Sequence, residues 1–208
     1  MKKALLGKKI GMMGIWSPTG ERVAVTALQL GPCPVVQVKT PEKDGYSALQ
    51  IGYGSLSVTR ASKAEMGHLK PLIEAGGTPV DTLVELRDFP ENKNVGEILD
   101  VTLFAEGDLV FVSGVSKGKG FQGVVKRYGF RGGRMSHGSK FHRSTGSVGA
   151  GTDPSEVLKG KRMPGRMGGK KHTVKNLEIV KIIPDENIVL VKGAVPGRRG
   201  GEVLLYQK

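Results

Sequence analysis

The sequence predicts a mainly β protein: a small barrel core, an α+β insertion, and a long basic, glycine-rich extended arm. Three observations carry this expectation. Short segments rich in β-branched and apolar residues recur between Gly, Pro and Asp turn signals at both ends of the chain. Between them, Ala61 to Ala75 switches to a helical period. Finally, Lys117 to Lys171 holds fourteen of the 32 Lys and Arg residues, fourteen of the 32 glycines and only two acids, Asp153 and Glu156.

Taken in order, Lys9 to Trp16 reads as a strand that ends at the turn Ser17-Pro18-Thr19-Gly20. Arg22 to Leu30 follows with near-alternation, and Gly31-Pro32 breaks it. Val35 to Lys39 is a third strand. Pro41 to Gly45 is a loop closed by Asp44-Gly45, and Tyr46 to Tyr53 returns as a fourth strand. Residues 1–54 therefore read as the first part of the barrel core. Residues 55–95 read as a small α+β insertion. In it, Ser62 stands at a helix N-cap with Glu65 three residues on, Pro71 is expected to kink or end the helix, and Gly76-Gly77 closes it. Thr82 to Arg87 alternates as a strand, and Phe89 to Lys93 reads as a turn. Barrel strands resume in 96–116 with Leu109 to Val115. The arm occupies 117–172. Barrel strands return in 173–208, as Thr173–Ile183, Ile188–Lys192 and Val203–Tyr206, separated by turns at Pro184–Asn187 and Pro196–Gly201.

Of the chain's net charge of +13, +12 lies in Lys117–Lys171. Charge selected for solubility would be spread over the surface; concentrated charge calls for a polyanionic partner. The same stretch has little to bury, chiefly Phe121, Val124, Val125, Tyr128 and Phe130. It cannot offset the entropy of ordering its own backbone, so it is expected to order on that partner. One cysteine, Cys33, permits no intramolecular disulfide and points to a reduced, cytoplasmic setting. Flanked by Pro32 and Pro34 with no cationic neighbour, it reads as a small buried or half-buried residue rather than a nucleophile. The N-terminus is basic, but its apolar run of Ala4-Leu5-Leu6 is too short for a signal peptide. No apolar run approaches the roughly 18 residues of a membrane span. A soluble, unexported protein with no membrane partner is expected.

Gly118-Lys119-Gly120-Phe121-Gln122-Gly123 matches G-x-G-x-x-G after a strand. A dinucleotide site also needs a βαβ unit and an acid about twenty residues on. No Asp or Glu lies between Val124 and Thr152. No Walker spacing is present either. His137, His142 and His172 lie in the arm without a cysteine, in a cationic field that opposes a metal ion. His68 reads as a solvated or hydrogen-bonded side chain. Asp153-Pro154-Ser155-Glu156 reads as a helical turn, with Asp at the N-cap, Pro at N1 and Glu at N3, ended by Gly160. No catalytic residue, metal site, cofactor or small-molecule substrate is expected.

The arm does suit RNA. Glycine lets backbone approach phosphate, arginine forks pair with phosphate oxygens, and Phe121, Tyr128, Phe130 and Phe141 can stack on unpaired bases. Met135, Met163 and Met167 can fill irregular grooves. The candidate RNA-binding residues are Lys117, Lys119, Lys126, Arg127, Arg131, Arg134, His137, Lys140, His142, Arg143, Lys159, Lys161, Arg162, Arg166, Lys170 and Lys171. No helix-turn-helix, zinc-finger or RRM signature is present. Two alternatives are a sequence-neutral nucleic-acid chaperone or architectural protein, and a nucleotide-binding enzyme. A chaperone would carry its charge in tails, whereas this arm is held at both ends by strands.

Several stretches resemble the bacterial form of the family of the third protein of the large ribosomal subunit. They are LGKKIGM (Leu6–Met12), GPCPVVQVKTPEKDGY (Gly31–Tyr46), SKGKGFQGVVKR (Ser116–Arg127), SHGSKFHR (Ser136–Arg143), GTDPSEVLKGKRMPGRMG (Gly151–Gly168) and VKGAVPG (Val191–Gly197). The resemblance covers the whole chain. It implies a translation-protein-type β-barrel and an arm reaching through ribosomal RNA towards the peptidyl transferase centre. It also implies an early role in subunit assembly, neighbouring ribosomal proteins as partners, and no catalysis. Two positions depart from the family. Phe111 stands where Asp or Asn is usual, which implies altered barrel packing. Ala150 matches a glutamine that some relatives methylate, and alanine cannot carry that modification.

Overall fold

A computed structural model describes residues 3–87, 89 and 93–207. The turn expected at Phe89–Lys93 falls mostly on Pro90, Glu91 and Asn92, outside the described residues. In chain order the elements are β1 (Lys3–Trp16), β2 (Arg22–Leu30), β3 (Cys33–Lys39), α1 (Pro41–Asp44), β4 (Ala48–Tyr53), α2 (Lys63–Glu74), β5 (Thr82–Arg87) and β6 (Ile98–Leu99). They continue with β7 (Leu109–Val115), β8 (Phe121–Gln122), α3 (Val124–Tyr128), β9 (Gly165–Arg166), β10 (Lys171–Ile183), β11 (Ile188–Lys192) and β12 (Glu202–Gln207). The chain divides into two compact units, Met1–Val115 with Lys171–Lys208, and Ser116–Lys170.

The first unit is built on a closed antiparallel barrel in the order β1-β12-β7-β10-β11-β2. Register partners Leu5 and Leu205, Leu205 and Val112, and Leu28 and Val189 are all fully buried, so period-two patterning supplies the core. Gly7 lies where β1 pairs with both β12 and β2; a Cβ there would run into the backbone of Gln29 and Leu30. Closure needs bent strands, and bulges provide the bend. β1 shifts register between Lys9 and Gly11, and β10 shifts twice, between Val174 and Leu177 and between Ile179 and Lys181. Phe111 stacks on its register partner Tyr206, with ring centroids 5.5 Å apart.

The expectation that 1–54 and 96–116 are barrel segments is corrected in part. β3, β4 and β6 are not barrel strands; with β5 they form a separate sheet in the order β5-β4-β3-β6. All six residues of β4 are buried, because the sheet is covered on both faces. Val35, Leu49, Ile51 and Leu86 join the main core, while Val36 packs with Val80 and with Leu69 and Leu72 of α2. A strand buried on both sides reads in sequence like a strand of a covered barrel. Its pairing partner is a non-local choice that periodicity does not encode.

Helix α2 keeps its local signals. Ser62 and Glu65 form a reciprocal capping box. At the other end Gly76, at φ +84°, donates to the Ile73 carbonyl and Gly77 to the Leu72 carbonyl, a Schellman closure. Pro71, expected to kink or end the helix, lies inside it, and the helix runs on to Glu74. The burial of Leu69 and Leu72 on either side of Pro71 outweighs the lost hydrogen bond. Pro41–Gly45, expected as a loop, closes as one helical turn ending at Gly45. His68 is hydrogen-bonded, its Nε2 lying 2.7 Å from Gln50 Oε1. Ser62→Ala is expected to cost about 1 kcal/mol of unfolding free energy. Urea denaturation checks it; an unchanged midpoint would mean that the cap contributes nothing.

Cys33 is fully buried and donates its thiol to the Leu6 carbonyl at 3.5 Å. Burial pushes its pKa from 9.0 up to about 12. The protonated thiol's contribution to stability is complete below pH 9.0 and is lost as pH rises towards about 12. At pH 8 a disulfide reagent is expected to label the native protein at least about a hundredfold more slowly than the unfolded chain. Equal rates would contradict this burial.

Candidate nucleic-acid interface

The second unit, Ser116–Lys170, starts as an irregular two-stranded ladder. Ser116 N donates to Lys170 O at 2.9 Å and Gly169 N to Ser116 O at 3.1 Å. Lys119 N donates to Met167 O and Met167 N to Gly120 O, both at 2.9 Å. β8 and β9 then pair Phe121 with Arg166 and Gln122 with Gly165. Gly168 makes this approach possible: its φ is +72°, and a Cβ would collide with the Lys117 carbonyl.

Beyond the ladder, α3 carries Val124, the one fully buried side chain among this unit's described residues. Gly129, at φ +73°, ends the helix. Arg127 Nη1 donates to the Met163 carbonyl at 2.5 Å and ties α3 to the returning strand. Arg127 and Arg162 both lie over the Tyr128 ring, 4.9 and 5.6 Å from its centroid. Gly133 N donates to His142 O at 2.7 Å, and Gly133 leaves room for the Phe141 ring. From Ser144 to Lys161 the chain runs through turns without helix or strand.

The sequence-derived cations fall into four places. Lys117, Lys119, Arg166 and Lys170 flank the basal ladder, with Lys171 at the start of β10 in the first unit. Lys126 and Arg127 sit on α3. Arg131, Arg134, His137, Lys140, His142 and Arg143 line the 131–143 loop, and Lys159, Lys161 and Arg162 lie on the return. All are exposed except half-buried Arg127, whose guanidinium serves the unit's own structure. No sequence signal separates Arg127 from its neighbours, because its partner is a backbone carbonyl 36 residues away. Among the described residues, no cation of Ser116–Lys170 forms an ion pair. Phe121 is 76% exposed and Met135 74%, so apolar surface stands among the free charges.

The Asp153–Glu156 helical turn is a correction. These residues form a turn, not a helix, and Ser155 lies at φ +61°, outside right-handed helical geometry. Gly118–Gly123 straddles the ladder and meets the five-residue α3, with no βαβ unit around it. Among the described residues, no cluster of three His, Cys, Asp or Glu is placed to hold a metal ion. Among the described residues, no helix is long and apolar enough to cross a membrane.

The profile of the family described as Ribosomal protein L3 matches residues 51–188. The large ribosomal subunit protein uL3 of Geotalea daltonii is 48% identical over 206 residues, covering 99% of this chain and 96% of that protein. The protein of the same name from Pelotomaculum thermopropionicum is 49% identical over 208 residues, covering 100% and 97%. Nearly half of the residues are shared over the length of the chain, and the family profile spans more than half of it; the chain belongs to the ribosomal protein L3 family.

Proposed function

We propose that this protein is a structural constituent of the large ribosomal subunit that binds ribosomal RNA through residues 117–172, acting as a basic arm. The observation that carries the reading is the arm's exposed cations, which lack carboxylate partners among the described residues, in a unit with a single buried side chain. Such a surface is electrostatically incomplete. At physiological salt the screening length is about 8 Å, so neighbouring cations still repel. RNA phosphate relieves that repulsion and provides the packing surface the arm lacks. The exposed lysines and arginines named above would take phosphate oxygens. His137 and His142 would stack on bases or donate to phosphate, and Phe121 offers an exposed stacking face. The role is structural, not catalytic. The protein is ribosome-bound in the cytoplasm, beside neighbouring ribosomal proteins. Its arm is directed towards the peptidyl transferase centre, and it joins the subunit early in assembly. A cross-linking map that placed Arg131–Gly151 far from that centre would refute the direction.

Titration against a transcribed fragment of large-subunit RNA tests the reading. With roughly 6–10 phosphates neutralised, affinity should fall about 10³- to 10⁵-fold between 50 and 200 mM salt. A flat response would sink the electrostatic reading.

A further inference from the structure

Two arginines outside the arm occupy a prepared position on the barrel. Arg198 and Arg199 are both exposed, in the connection from β11 to β12. Gly201 N donates to Arg198 O at 3.1 Å, and Gly200 stands at φ +70°. This is the pattern of a tight turn with glycine in its third position. The turn is fastened to β1 at its bulge. Gly200 N donates to Lys9 O at 2.7 Å, and Lys9 N donates to Gly201 O at 3.0 Å. The bulge removes Ile10 from the β1–β2 register, and Arg199 Nε donates to the Ile10 carbonyl at 2.9 Å. One edge of the guanidinium is thereby anchored, while Nη1 and Nη2 keep their donors. No ion pair is formed by either arginine among the described residues. The acid beside them, Glu202, accepts a hydrogen bond from Thr82 Oγ1 at 2.8 Å.

The same loop reaches β7. A Cβ on Gly197 would lie 3.1 Å from the Val115 carbonyl, and one on Gly114 would lie 3.3 Å from the Pro196 carbonyl. Val115 pairs with Lys171, and these two residues are where the chain leaves and re-enters the barrel. We propose that the Arg198–Arg199 turn is a second phosphate-binding element, built into the barrel at that end. An arginine held by its Nε loses less side-chain freedom on taking a phosphate than a free one does. The glycines around it let backbone phosphate come close. An acidic protein segment would find the same charge, but the loop's approach to Val115, the register partner of Lys171, favours RNA.

This inference rests on the RNA-binding reading, and salt slopes separate the two. In full-length protein, Arg198→Ala is expected to reduce the magnitude of the log–log salt slope by about 0.7–0.9, and Arg198→Ala with Arg199→Ala by about 1.4–1.8. Arg198→Ala should leave the thermal midpoint unchanged, since β1 is held by Lys9, Arg199 and Gly200. Arg199→Lys should keep the slope that Arg199→Ala loses; equal loss in both would reduce Arg199 to a strut and overturn its part. Unchanged slopes in both alanine variants, with a steep wild-type slope, would overturn the proposal and leave the arm reading intact. A flat wild-type response would instead remove the RNA-binding reading itself.

Discussion

Replacing Lys117–Gly169 with a short Gly/Ser linker is expected to leave a barrel that unfolds cooperatively while lowering RNA affinity by at least about 10³-fold. Val115 and Lys171 are antiparallel register partners, so a short linker can join them as a hairpin loop. Every residue of the main core lies outside the replaced segment. Shortening the connection also lowers its closure entropy, by about 0.6 kcal/mol for each halving of length. Twelve of the chain's 32 cationic residues leave with the segment, and two acids. Calorimetry reads the first half of the expectation and filter binding the second. Loss of the cooperative transition would make the segment part of the fold. Affinity within tenfold of the full chain would transfer RNA binding to the barrel.

Amide exchange on the free protein is expected to differ by several orders of magnitude along the chain. Barrel amides open with the global free energy, about 5–15 kcal/mol for a domain, whereas amides in poorly packed segments open at almost no cost. The ladder amides of Ser116, Lys119, Met167 and Gly169 should lie between these limits, since they are paired but have few buried side chains beside them. Arg131–Gly151 should exchange within about tenfold of an unfolded peptide, apart from the Gly133 amide held by the His142 carbonyl. Adding the RNA fragment should slow the whole segment. Strong protection throughout Arg131–Gly151 without RNA would show that the arm is pre-folded and needs no partner to order it.

The features legible in the sequence are local or additive. Net charge is a sum, so its concentration in Lys117–Lys171 needs no structure to be seen. The capping box of Ser62 and Glu65 and the closure at Gly76-Gly77 each depend on residues within one or two turns. Burial of Cys33 could be read from its proline flanks and the absence of a cation nearby. Local signals misled where a local preference met a stronger partner. Pro71 is overridden by the burial of Leu69 and Leu72 beside it. At Asp153-Pro154, sound helix-start chemistry is followed by Ser155 in a left-handed conformation.

By itself, then, the sequence determined the β character of the core, the position of the basic segment between two strands and the charge of its partner. Tertiary structure alone decided which strands close the barrel. Val35 to Lys39 and Ile188 to Lys192 are alike in composition, yet one enters the side sheet and the other the barrel. Strand pairing is a choice among distant partners, made by the burial of both faces at once rather than by any one segment's propensity. The same holds for two arginines anchored on the backbone. Arg127 and Arg199 each donate to a backbone carbonyl, 36 and 189 residues away in sequence, and such an acceptor leaves no mark on side-chain identity.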